Sequence, residues 1–113
     1  MTDVRSVIDA FGKRWAAHDL QGTVALITED CVFESTGPSP DGTRCVGVSE
    51  ISAAWLPIFE NIDSVFTVED TIESGDRVVQ LWTYNWGDGH VRGVDVFRVR
   101  DGKVAEKFSY VKG

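Results

Sequence analysis

Asp95 is the residue of this chain best placed by type and spacing to do chemistry. Around it, odd positions hold Val91, Gly93, Asp95, Phe97 and Val99, and even positions hold Arg92, Val94, Val96, Arg98 and Arg100. Successive side chains of a strand point to opposite faces. The face carrying three arginines is the wetter one, so Asp95 shares the interior face with Phe97 and Val99. Apolar surroundings disfavour the charged form of a carboxylic acid, which makes it an acid or base usable near neutral pH. The competing reading is that Asp95 bonds a neighbouring Trp, Tyr or backbone donor and is purely structural. Candidate helpers are Trp82, Tyr84, Asn85 and Trp86 on the preceding strand, with Glu34 and Tyr110.

Other side chains that carry chemistry elsewhere are poorly arranged for it here. Cys31 and Cys45 sit among hydrophobic or small residues and read as buried free thiols. Neither has a histidine nearby in sequence to activate it, and no Cys/His pair has metal-ligand spacing. His18 and His90 read as solvent-facing, and Asp19 as a helix cap. The net charge of −7 disfavours binding to phosphate backbones, so no nucleic-acid partner is expected. No apolar run approaches the roughly 20 residues that span a bilayer, and no basic stretch suits a lipid surface, so no membrane partner is expected either. The first residues lack the layout of a secretory signal, which points to a cytoplasmic protein.

The elements that must position Asp95 fall into a helical front and a strand-rich back. Val4, Val7, Ile8, Phe11 and Trp15 recur at helical spacing from Val4 to about Ala17, with Asp3 as cap. A second helical stretch runs from Thr23 to Thr28, after Asp19. Cys31 to Ser35 is β-prone and leads into a loop at residues 37–42. A third helix spans about Ser49 to Phe59, capped by Ser49, with Pro57 inside its pattern. From Ser64 the period changes to two. The stretch with Phe66 and Val68, then Val78–Trp86, Val91–Val99 and Val104–Val111, read as four strands. Asp101-Gly102 between the last two is the strongest short-range hairpin signal available.

One domain of α+β class follows from 113 residues in this order. Its fold is a cone-shaped α+β barrel, a strongly curved antiparallel sheet wrapped around the N-terminal helices. Gly87, Gly89 and Gly93 permit the curvature. The mouth of such a cone is a favoured ligand site. Trp15, Phe33, Trp55 and Phe59 from the front half are expected to line it, joined by Trp82, Tyr84 and Tyr110 from the strands. Whether the aromatic face of Val78–Trp86 meets a ligand, the core or a second subunit stays open at this level.

Three segments carry a family resemblance: Trp15-Ala16-Ala17-His18-Asp19, residues 28–34 (Thr28 to Glu34) and residues 93–104 (Gly93 to Val104). With the overall layout, they resemble the SnoaL-like branch of the nuclear transport factor 2-like superfamily along essentially the whole chain. That group includes ketosteroid isomerases, polyketide cyclases, epoxide hydrolases, scytalone dehydratases and noncatalytic binding domains, so fold alone selects no reaction. The resemblance places Asp95 where isomerases keep the protonated aspartic acid of their oxyanion hole. It also lies near the acid/base aspartate of the cyclases. Ser35 stands where the isomerase base would be, Arg14 where its tyrosine would be, and Gly93 where epoxide hydrolases carry arginine.

The function expected is a small-molecule pocket protein. It would act as a cofactor-independent cyclase or isomerase, with Asp95 as acid/base on an apolar carbonyl compound, and need no metal. The alternative is a noncatalytic ligand-binding or dimerisation domain of the same fold. A homodimer is expected from the resemblance and from large apolar residues on both strand faces.

Overall fold

Residues 3–113 are described by the structure, a computed structural model. Helix α1 (Val4–Ala16) forms on the stripe of Val7, Ile8, Phe11 and Trp15, all four of which are buried. Asp3 caps it, accepting a hydrogen bond from the Arg5 N–H at 3.4 Å. Asp19 caps the short α2 (Leu20–Val24) and accepts from the Gly22 N–H at 2.9 Å. The helix expected over Thr23 to Thr28 therefore lies earlier. Ile27 and Thr28 are β-branched and open strand β1 (Ile27–Glu34), where Ile27 pairs with Val104.

A three-residue strand β2 (Arg44–Val46), absent from the sequence reading, folds back antiparallel on β1. Helix α3 (Val48–Glu60) starts from Gly47 at φ +89°, with no side-chain cap. Ser49 lies within its first turn rather than before it. The Glu50 carboxylate instead reaches back to the Val46 N–H at 2.8 Å. Pro57 is accommodated inside this helix.

Four strands then form a meander: β3 (Val65–Ser74), β4 (Arg77–Asn85), β5 (His90–Arg100) and β6 (Lys103–Val111). Asp101 and Gly102 join the last two with φ values of 55° and 73°, the doubly left-handed turn that matches hairpin twist. The six-stranded order is β2-β1-β6-β5-β4-β3. All pairs are antiparallel except β1 with β6, which is parallel.

The sheet is curved and unclosed, and the helices pack into its hollow. There Phe11 of α1 meets Phe97 at 5.6 Å between ring centroids, and Trp15 meets Trp55 of α3 at 5.0 Å. Gly93 has a packing reason. A Cβ at that position would lie 2.6 Å from the Trp82 ring and 2.4 Å from the Tyr110 carbonyl oxygen. Only glycine lets the Trp82 ring lie against β5.

Candidate functional site

Asp95 stands in the middle of β5, opposite Gln80 on β4 and Ser109 on β6. The β5–β6 register is regular from the turn as far as Val99↔Val104, but the next pair is Arg98↔Glu106. Ala105 is thus one extra residue on β6. Such a bulge turns every following side chain to the other face. Lys107 and Ser109 are thereby brought onto the face of Phe97 and Asp95.

The three side chains form a closed triangle. Lys107 Nζ is 3.2 Å from Asp95 Oδ2 and donates to Ser109 Oγ at 3.1 Å, and Ser109 Oγ donates to Asp95 Oδ1 at 2.6 Å. Asp95 is 6% exposed and Lys107 5%. The ammonium also faces aromatic rings, 4.7 Å from the Trp15 centroid and 5.1 Å from that of Phe33. An ammonium has three donors. Two are held by Asp95 and Ser109, which leaves one for ring faces or for a ligand.

Asp95 and Lys107 of this triangle border a cavity of about 460 Å³ between α1 and the sheet, within the usual range for small-molecule sites. Ile8, Phe11, Trp15, Phe66, Trp82 and Phe97 make its apolar walls, and Gln80 and Thr71 add neutral polar groups. Gln80 Nε2 donates to Thr71 Oγ1 at 3.3 Å. The rim, from α1, carries the exposed residues Arg5, Asp9 and Lys13. Trp82 is 6% exposed, yet its indole N–H has no hydrogen-bond partner. A buried donor left unpaired costs about 1–3 kcal/mol, and a ligand acceptor would remove that cost.

Of the residues expected at the site, Asp95, Trp15 and Trp82 line this cavity together. The others are placed elsewhere. Phe33, Trp55 and Phe59 are consumed in the packed core, buried among edge-to-face ring contacts and outside the cavity lining. Tyr84 stacks on Phe66 at 4.4 Å, outside the lining. Tyr110, 58% exposed, lies on the convex side of the sheet beside Leu81 and Val94. It alternates with Ser109, which points inward.

None of the remaining helpers reaches Asp95. Glu34 pairs with Arg44 at 2.8 Å, Asn85 accepts from the Gly87 N–H, and Trp86 is partly exposed beside Tyr84. Arg14 is exposed and pairs with Asp19 at 3.3 Å, while Ser35 ties down the loop after β1. His18 is not solvent-facing as expected. At φ +56° its ring turns between two carbonyls, with Nδ1 3.1 Å from Phe59 O and Nε2 3.0 Å from Ser64 O. It clamps the end of α1 to the end of α3. His90 is exposed.

The clear shifts in proton affinity lie away from the cavity. Burial pushes the Cys31 thiol up to about 12, with the neighbouring Asp30 charge adding to it. Both cysteines are free and buried. At the surface, a hydrogen bond from Arg100 holds Asp30 below the usual carboxylate range, and bonds from Thr83 and then Arg92 do the same for Glu69. Among the described residues, no three His, Cys, Asp or Glu side chains gather as metal ligands. No helix among them is long and apolar enough to cross a membrane.

A curved sheet closed by helices over an apolar cavity defines the nuclear transport factor 2-like class of proteins. Within it, residues 7–107 match the SnoaL-like domain, and the chain belongs to that family. It is 35% identical to a nuclear transport factor 2-like protein of unknown function from Mesorhizobium loti. That similarity covers 97% of this chain and 91% of the other, with a TM-score of 0.88. A steroid delta-isomerase from Pseudomonas aeruginosa shares the fold at 20% identity, over 100% of this chain and 82% of its own, with a TM-score of 0.81. So does a polyketide cyclase candidate from Sinorhizobium meliloti, at 16% identity over 96% and 99% of the two chains and a TM-score of 0.79. No curated protein matches the sequence.

Proposed function

We propose that the chain binds one small, largely apolar carbonyl compound in the cavity and moves a proton next to its carbonyl group. The observation that carries this is a carboxylate and an ammonium 3.2 Å apart, both buried, beside a mostly apolar space. Enolisation needs a base at the α-carbon and a donor at the developing oxyanion. Asp95 Oδ2 supplies the first and the free N–H of Lys107 the second. A preorganised donor in a water-poor site stabilises developing charge far better than water does. The trapped ions contribute little net stability. Isomerase and cyclase relatives of the same fold are consistent with the chemistry.

A second reading is favoured by one observation, the engagement of both Asp95 oxygens by internal partners. A domain that only binds its ligand would keep the triangle intact and use it as a polar floor. Deuterium exchange at C1 of 2-tetralone, an apolar ketone with acidic α-hydrogens, separates the two. Followed by proton NMR in D2O, exchange should be accelerated by the native chain and return to the buffer rate with Asp95→Asn. Binding without acceleration would establish the binding-only reading.

For the convex face, we propose a second copy of the chain as its cover. Leu81 and Tyr110 are exposed there, and Ile72 is exposed on the same face of β3. A contiguous apolar sheet surface marks an interaction site.

A further inference from the structure

Lys107 poses a question that oxyanion binding does not answer, namely why this position holds lysine. An arginine makes the stronger buried ion pair and stacks better on aromatic rings. A lysine can do one thing that arginine cannot, which is release a proton and attack a carbonyl carbon. Its environment suits that step. Nζ borders the cavity, is screened from water, and has a proton acceptor at 3.2 Å in Asp95 Oδ2, with Ser109 Oγ bridging the two.

We infer that Lys107 forms a covalent imine with a ketone or aldehyde bound in the cavity. The inference rests on the carbonyl-compound reading above and adds a bond to it. Lys107 Nζ first passes a proton to Asp95 Oδ2. The freed electron pair forms a C–N bond to the carbonyl carbon while the C=O π pair moves to oxygen. A proton then shifts from nitrogen to that oxygen, giving a carbinolamine. Asp95 returns its proton to the hydroxyl, the C–O bond breaks and water leaves. The net change is ammonium plus carbonyl compound to iminium plus water, with no oxidant, reductant or other co-reactant. The positive charge stays on Nζ, so the partner of the Asp95 carboxylate survives the reaction. The iminium is also a better electron sink than the carbonyl, and Asp95 lies beside the α-carbon whose proton becomes acidic.

The chain has four lysines. Lys13, Lys103 and Lys112 are exposed, while Lys107 is almost fully buried. Random amine chemistry would therefore spare Lys107, and imine formation at the site would select it. The test is incubation of the folded chain with 2-tetralone and sodium cyanoborohydride, then digestion and peptide mass mapping. Reduction fixes any imine as a secondary amine whose added mass is the ketone less one oxygen. Labelling at Lys107 should exceed that at each exposed lysine by roughly ten-fold or more, since positioning supplies a large effective concentration. Lys107→Arg, which retains the positive charge and the possibility of the ion pair, should lose the site-specific label. Labelling confined to the exposed lysines, or equal at all four, overturns the imine. If C1 deuterium exchange stays accelerated in that case, the Asp95 reading stands without it.

Discussion

Burying an ammonium beside a carboxylate leaves each ion dependent on the other. Removing one partner of such a pair typically costs about 3–5 kcal/mol, because the survivor is left uncompensated, whereas replacing both by apolar groups is often neutral. Asp95→Asn and Lys107→Met should each lower stability on that scale in urea unfolding, and the double variant Asp95→Leu/Lys107→Met should recover most of it. A double-variant loss equal to the sum of the two single losses would show that the pair is not coupled. A second prediction concerns Cys31, whose thiol burial pushes up from the ordinary 9.0 to about 12. A thiol shifted in this direction stays neutral to higher pH in the folded state than in the unfolded chain. Its contribution is complete below pH 9 and is lost as pH rises through 9 toward 12. Cys31→Ala should flatten the alkaline fall in unfolding free energy across that window. The inward face of Asp95 was legible from the alternation Asp95, Phe97, Val99. Lys107 was not, because counting outward from the Asp101-Gly102 turn in regular register places it on the convex face. The extra residue at Ala105 reverses that, and nothing in Val104-Ala105-Glu106 announces a bulge.

Between residues and molecule, α1 is the element that both closes the core and lines the cavity. Gly12 sits inside it, where glycine costs about 1 kcal/mol relative to alanine. A Cβ there would meet nothing within 4 Å, and the position borders the cavity. Gly12→Ala should therefore raise the unfolding free energy by up to about 1 kcal/mol. Gly12→Leu should weaken 2-tetralone binding, seen as reduced quenching of tryptophan fluorescence, without loss of fold. Unchanged affinity in the leucine variant would mean that the ligand does not pass α1. The amphipathic stripe of α1, the Asp19 cap and the hairpin at Asp101-Gly102 were all readable from local pattern. The limits of α2 and the start of α3 were not. Ile27 and Thr28 carry helical and strand signals alike until Val104 of β6 is there to pair with Ile27, and Gly47 took the cap position that Ser49 offered.

At the scale of the whole molecule, curvature makes two unequal faces from strands that look apolar on both. The concave face holds the core and the cavity, and the convex face leaves Ile72, Leu81 and Tyr110 to solvent. Sedimentation at micromolar concentration should report a dimer, and Leu81→Glu should shift it to monomer while leaving the far-ultraviolet circular dichroism unchanged. A monomeric native chain would remove the proposed cover. The family was legible across nearly the whole sequence because fold follows from the order and pattern of elements. The lining was legible only at Trp15, Trp82 and Asp95, since core and cavity draw on the same aromatic residues and only packing decides which ring is left bare. The central claim is that function resides at the Asp95–Lys107–Ser109 triangle, and a crystal structure of the chain with 2-tetralone tests it most directly. The account predicts density in the cavity between α1 and the sheet, with the former carbonyl group at Lys107 Nζ, as a hydrogen-bonded oxygen or a C–N bond. A ketone seated on the convex face, or in the cavity with its oxygen turned away from Lys107, would contradict it.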